Sequence, residues 1–502
     1  MKSKTAISVK NSNDRGVQCV IGAYLFVMLA LFPLFNHGNY FDILDAKWIA
    51  CLAPTLLFLA ICVVLVVTAK MPLNKANTSY KLFMAFTVLY ALSVIIGMTM
   101  CQPLQHLRIS FWGLTGRYLG VMVIVPLLAA ILIISKYYRM RPALGYSFGI
   151  SSAIIFILQI LNEFRIDLFN MWAGVPAEQL KLFSGTIGNI NFNATYNCIV
   201  LSIFMAMLVV LERRQNSRTL NLLLSVLIIL GFAGSICIRS NGFYLGIAAT
   251  FIVLFIYTIR HMECLNRLLL LITLWVTASS MVALIYRTAE HHFELKSISK
   301  MMTQPQIIFA ELTLIMALYL ATQFLSPKIS RILLIVAGMA TLAGATWLVV
   351  AGSEAFIDPS NITDHTGHNR VYVWRRTLDM MAEYSPLGWL FGCGINEFQF
   401  AFSDFCGNEM QALGYNIFID AHSEYLQALA ATGVLGFVGY FGMIVSTLVV
   451  NIRRASRNPF ALIAVACLIT FLTQGLVYGP QITTTPLILI LVGIFRSEIT
   501  ES

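Results

Sequence analysis

Charge is what this sequence has least of. Only 11% of its 502 residues are Asp, Glu, Lys or Arg, against roughly 25% in soluble domains. Hydrophobic residues make up 58%. A soluble protein of this length could not shield so much apolar area from water, so an ordinary soluble domain is excluded. Paired cysteines are missing too. The ten Cys are scattered and no C-x-x-C occurs, which argues against a zinc or dithiol redox motif. Cys393 and Cys406 share one loop, where they form a disulfide in an oxidising compartment or stay as thiols. No metal-ligating cluster stands outside the apolar runs. A clear A-x-A-like cleavage site is also lacking after the polar residues 1–16. The apolar run that follows is read as a retained helix, not a signal peptide.

What is present is a series of apolar runs, each near the 20 residues that a bilayer demands. Fourteen candidate spans fall at about 17–35, 48–68, 82–100, 118–135, 143–161, 194–211, 220–238, 243–259, 266–286, 307–324, 332–351, 434–450, 460–476 and 484–495, the last being short. The expected fold is an all-α polytopic membrane protein of about 12–14 transmembrane helices. Net charge is +10, but the basic residues punctuate the spans and form no patch, so no nucleic-acid partner is expected. With the N-terminus inside, 21 of the 33 Lys and Arg fall in cytoplasmic segments, as the positive-inside rule requires. The even span count returns the C-terminus to the same side. Residues 1–351 then form an N-terminal transmembrane domain, 352–433 a large extracytoplasmic loop, and 434–502 the C-terminal helices.

A loop of 82 residues is usually functional or disordered. This one carries Trp374, Trp389 and many Phe and Tyr, so it is expected to pack. Its basic residues are Arg370, Arg375 and Arg376, against ten Asp and Glu. Segment 369–383 has helical period, with Arg370, Trp374, Leu378 and Met381 on one face. Arg375 and Asp379, four apart, are placed to pair. Arg370 on the apolar stripe needs an anion, either a phosphate that matches its planar fork or an acidic residue elsewhere in the loop. Arg117 and Arg239 are further arginines at span ends, where charge is costly and usually paired or functional. Arg239 opens the short Arg239-Ser240-Asn241-Gly242 link, a tight turn or a re-entrant dip. His422 stands before the twelfth span as either a structural side chain or a base for proton transfer near neutral pH. Asp420 and Glu424 lie close by and could orient it, but on a helix they would face elsewhere. The Gly185-Thr186-Ile187-Gly188-Asn189-Ile190-Asn191 stretch is either a plain turn or a source of backbone N–H and amide groups for a ligand.

These pieces taken in order resemble the O-antigen ligase and O-antigen polymerase superfamily. His422-Ser423, nine residues and then Gly433 is similar to its His-[Asn/Ser/Gln]-x9-Gly signature. Gly116-Arg117-Tyr118-Leu119-Gly120 resembles its Gly-x-x-x-Arg-x-x-Gly segment, and residues 185–191 resemble its Gly-Thr-Phe-Gly-Asn-x-Asn segment. Arg239-Ser240-Asn241-Gly242 is similar to its Ser-Arg-Gly turn with the order changed. Arg370-x-x-x-Trp374, with Pro386-Leu387-Gly388 and Gly392-Cys393-Gly394, resembles its Arg-x-x-x-Trp … Pro-x-x-Gly-x-Gly stretch. The likeness covers about residues 110–445; the first three and last two spans add only topology.

The resemblance implies a GT-C-like membrane glycosyltransferase, metal-independent and without a cofactor, in the cytoplasmic membrane of a bacterium. The implied partners are a polyprenyl-diphosphate-linked oligosaccharide donor, a glycan or glycolipid acceptor, and membrane lipids. Arg370, with Arg117 and Arg239, would stabilise the charge growing on the leaving diphosphate. His422 would take the acceptor proton, and direct displacement predicts inversion. Asn189, Asn191 and Trp374 are the candidate glycan contacts. The rival from another class is a polysaccharide flippase or other transporter. That reading calls for related halves and polar groups at mid-membrane; no half-repeat is visible and intramembrane charge is sparse.

Overall fold

The computed structural model describes residues 15–68, 71, 78–100, 104–113, 116–211, 217–291, 293–295, 297–326, 328–339 and 366–497. Apolar segments fold as helices because hydrocarbon offers no partner for an open backbone N–H or C=O. Among the described residues, nine helices are long and apolar enough to cross a membrane. They are α2 (Ile43–Val67), α3 (Thr78–Thr99), α6 (Pro142–Glu163), α7 (Ile190–Val210), α8 (Arg218–Cys237), α9 (Asn241–Arg260), α10 (Met262–Thr288), α12 (Pro305–Phe324) and α17 (Glu424–Ala455). Four shorter apolar helices join them: α1 (Arg15–Leu31), α5 (Val121–Tyr137), α18 (Ala461–Gln474) and α19 (Thr485–Phe495). Every expected span therefore has its helix except 332–351. There α13, over 328–339, covers the beginning and the rest lies outside the described residues. Two short helices, α4 (Leu104–Trp112) and α11 (Ser297–Met302), and a hairpin of Phe183–Ser184 with Gly188–Asn189 complete the first part.

The bundle is layered by composition. Helix α7 is buried along almost its whole length, whereas α12 buries none of its residues. The short last helix has a physical reason. Eleven residues of α19 reach only about 16 Å, half of a hydrocarbon core of ~30 Å. The preceding stretch, 475–484, is mostly non-helical yet largely buried. Irregular backbone enclosed in this way is shielded from lipid by the protein itself.

The long region between α12 and α17 holds α14 (Thr366–Ala382), α15 (Pro386–Phe391) and α16 (Phe398–Ala412). It packs, as its aromatics suggested, around a core that includes Tyr372, Val373, Met381, Phe398, Phe402 and Met410. The helix expected over 369–383 is present, but its buried face is different. Tyr372, Val373, Thr377, Met380 and Met381 point inward, and Leu378 is 53% exposed. Four-residue steps overshoot a 3.6-residue turn by about 40° each, so a stripe drawn through 370, 374 and 378 spirals off the core. Asp379 accepts from Arg376 Nη1 at 3.0 Å, and Glu409 accepts from the same guanidinium at 2.6 Å. The acidic partner that spacing offered to Arg375 is thus bound by Arg376. Cys393 and Cys406 are free thiols.

Helix α17 starts ten residues earlier than the expected 434, capped by Ser423, whose side chain accepts from Leu426 N. Gly433 sits inside it at φ +64, with non-helical backbone. A Cβ there would stand 2.3 Å from the Leu390 carbonyl carbon, and one on Gly392 the same distance from that of Ala431. The two glycines let the 390–394 chain press onto the kink, where Cys393 N and Gly394 N donate to Ala430 O and Ala431 O. Ser93 in α3 donates to Thr432 O at 2.7 Å.

Candidate active site

His422 lies in the non-helical link before α17, at φ +48. Its backbone N donates to Asp420 Oδ1 at 2.8 Å, so Asp420 folds back over the turn. The same oxygen lies 2.9 Å from His422 Nδ1. This overturns the expectation that Asp420 would face elsewhere, because the helix begins only at Glu424. Glu424 does turn away. Its backbone N donates to Gly475 O and its carboxylate accepts from Tyr440 Oη at 2.7 Å.

The second Asp420 oxygen is held by Arg117 Nη2. Arg117 arrives from the link between α4 and α5, which doubles back on itself. A Cβ on Gly120 would lie 2.5 Å from Gly113 N, so the glycines flanking the arginine allow the chain to cross itself. The Arg117 side chain is 14% exposed and that of Asp420 is 5%. Burial pushes the Asp420 carboxyl up, but the Arg117 charge and the His422 hydrogen bonds outweigh it and hold it well below the usual carboxylate range. His422 is more open, at 36%.

Behind the pair is a cavity of about 50 Å³ lined by Arg117, Asn396, Asp420, Glu424, Gln427 and Tyr440, among others. That is room for water molecules and too little for a sugar ring. Arg117 Nε and Nη1 and Asn396 Nδ2 are buried without hydrogen-bond partners among the described residues. These are donors for which buried oxygen atoms are the natural complement.

Arg370 reaches the same end of the bundle from α14. Its guanidinium carbon sits 5.6 Å from the centre of the Tyr478 ring. The Tyr478 hydroxyl lies 2.6 Å from Ser240 Oγ and 3.1 Å from Asn191 Oδ1. Three segments singled out in the sequence therefore meet: the Arg370 helix, the Arg239–Gly242 turn and the Asn-rich link. Asn191 is at the contact, while Asn189 caps α7 by accepting from Asn191 N at 2.9 Å. The link itself is pinned from below, with Asn193 Nδ2 donating to Ser184 O and Gly188 O and Gln159 donating to Asn193 Oδ1. Trp374 is half-buried one turn beyond Arg370, its indole N–H buried and unbonded among the described residues.

Arg239 is occupied differently. It forms a tight turn at φ +58 and bonds both oxygens of Glu163, at 2.8 and 2.7 Å. Its guanidinium also covers the Phe293 ring at 4.4 Å. Glu163 ends α6 and had no place in the sequence reading.

Spacing alone also missed Tyr478, Asn396 and a second histidine–carboxylate pair. In that pair His106 Nδ1 is 2.8 Å from Glu397 Oε2 and Ser110 Oγ is 3.0 Å from Glu397 Oε1. Burial raises the Glu397 carboxyl despite both partners. It ties α4, which carries the Arg117 link, to the large loop. Asn396 and Glu397 follow the Gly392-Cys393-Gly394 turn one residue on, which is the signal that was there to be used.

The chain is a multi-pass, mostly α-helical membrane protein with one large helical loop. No family model matches it, and no curated protein matches it.

Proposed function

We propose that this protein is a membrane glycosyltransferase of the O-antigen ligase and polymerase type, with a GT-C-like arrangement of its helices. It transfers a glycan from a polyprenyl diphosphate to a sugar hydroxyl at the outer face of a bacterial cytoplasmic membrane. The observation that carries the reading is the linked Arg117–Asp420–His422 arrangement at the end of the large loop. A carboxylate on Nδ1 favours the tautomer with its proton there, which leaves Nε2 with the lone pair and stabilises the imidazolium once it forms. His422 is half-open, and the cavity behind it is too small for sugar, so the glycans belong on its exposed side.

The chemistry is one displacement. The acceptor oxygen bonds to the anomeric carbon as the bond from that carbon to the phosphate oxygen breaks. The acceptor proton goes to His422 Nε2, and the electron pair of the broken bond leaves with the diphosphate. Attack opposite the leaving group inverts the anomeric centre. Arg370 answers the charge that develops on the leaving group, where fixed donors lower a barrier most, and Arg117, whose remaining donors are buried, anchors Asp420. Asn191 and Trp374 border the glycan. Arg239, committed to Glu163, supports the site by shaping the turn that carries Ser240.

The test is transfer by purified protein from a polyprenyl-diphosphate oligosaccharide. His422→Ala and Arg370→Ala are expected to lose most product while keeping the wild-type melting profile. Full rates in both variants would remove the site from this mechanism.

A further inference from the structure

We propose that Tyr478 is a positioning residue that holds Arg370 in register with the Asp420–His422 pair; the role rests on the glycan-transfer reading above. Tyr478 lies in the irregular stretch between α18 and α19. That region looked purely topological in the sequence, yet it passes through the middle of the site.

The stretch meets the Arg370 side of the site and the Asp420 side. The Tyr478 ring faces the Arg370 guanidinium at 5.6 Å, within the range where a cation is drawn to an aromatic face. Its hydroxyl meets Ser240 and Asn191, which are themselves 3.1 Å apart from Oγ to Oδ1. Gly242 backs the phenol, and a Cβ there would come within 2.3 Å of the Tyr478 oxygen. The turn is thus shaped around this side chain. The next residue, Gly479, faces the other half of the site. A Cβ on it would stand 3.0 Å from Asp420 Oδ2. Three residues before Tyr478, Gly475 O accepts the backbone N of Glu424 at the start of α17.

Adjacent residues therefore meet the diphosphate arginine on one side and the carboxylate of the proton acceptor on the other. Consecutive Cα atoms are held about 3.8 Å apart, so the peptide acts as a fixed spacer between the two. A buried ring, 7% exposed, with its hydroxyl tied to two other segments has little freedom to follow a moving side chain. Arg370 is thereby set before the charge develops, which is when orientation counts.

Three variants separate this role from simple packing. Tyr478→Phe keeps the ring face and loses the hydroxyl contacts. Tyr478→Leu loses both, and Tyr478→Met serves as a second ring-less variant if Leu does not fold. The ring-less variant is expected to lower kcat about 2- to 30-fold, the range for one cation–aromatic contact, with the acceptor KM unchanged. Tyr478→Phe, which keeps the ring face and loses its tether, should recover part of that loss. The proposal is overturned if a folded ring-less variant keeps wild-type kcat, or if Phe is as slow as Leu or Met. Wild-type protein that transfers no glycan would instead overturn the reading on which the role rests.

Discussion

Replacing Asp420 by Asn removes one charge held between the Arg117 guanidinium and the His422 ring. The amide has nearly the same shape, so the change tests charge and tautomer more than packing. Behind His422 it removes the anion that stabilises the imidazolium and leaves the ring free to take the wrong tautomer. Proton transfer by a positioned base contributes about a hundred- to ten-thousand-fold, and an Asp-to-Asn exchange behind a catalytic histidine reaches the top of that range. His422 is 36% exposed, and water competes for its ring, so the lower half of the range is expected here. The second consequence falls on Arg117, left 14% exposed and without its anion. Removing one partner of a buried pair costs roughly 3–5 kcal/mol, and the remaining exposure puts this case at the low end. The assay is the initial rate of polyprenyl-diphosphate release by purified protein, read beside its melting profile. Arg117→Gln added to Asp420→Asn removes the stranded charge. It should restore part of the lost stability without restoring the rate. The reasoning fails if Asp420→Asn keeps a rate within about threefold of wild type, or if the double variant recovers rate and stability together.

Two further outcomes follow from the same geometry. Gly433→Ala places a Cβ 2.3 Å from the Leu390 carbonyl carbon at a backbone φ of +64, so it should lower the melting midpoint by several degrees, and an unchanged midpoint would refute the close approach of the loop to the kink. Because the folded Asp420 carboxyl is held below its ordinary value of 3.8, its stabilisation is present above about pH 4 and lost as pH falls through the folded value. The melting midpoint should therefore fall in acid less steeply in Asp420→Asn than in wild type; an equal fall in both would contradict the pairing.

The spans were legible because the bilayer imposes a length and a composition on each one. The residues at the candidate site were legible as types, since arginine, histidine and asparagine at span ends are costly to place there without partners. Their partners were another matter. Arg117 and Asp420 are about three hundred residues apart in sequence, and no local period links them. Asp420 is near enough in sequence to orient His422, but a helix through 420–424 would turn it away; Ser423 caps the helix and frees the turn before it. Tyr478 was hidden for the opposite reason. The apolar pattern of the last two spans is short and continuous enough to read as membrane alone. Only the shortness of the apolar run at 484–495 hinted that irregular chain stands beside it. Arg239 shows the same gap, since its Nη1 bonds Glu163, which lies outside every motif.

Glycan transfer itself is the central claim, and product analysis with purified wild-type protein tests it most directly. Vesicles carrying the protein would be given a labelled polyprenyl-diphosphate oligosaccharide and a glycan acceptor. The prediction is a new glycosidic bond with inverted anomeric configuration and one polyprenyl diphosphate released for each bond formed. Movement of intact glycan-lipid across the membrane with no new bond would contradict it and identify a transporter.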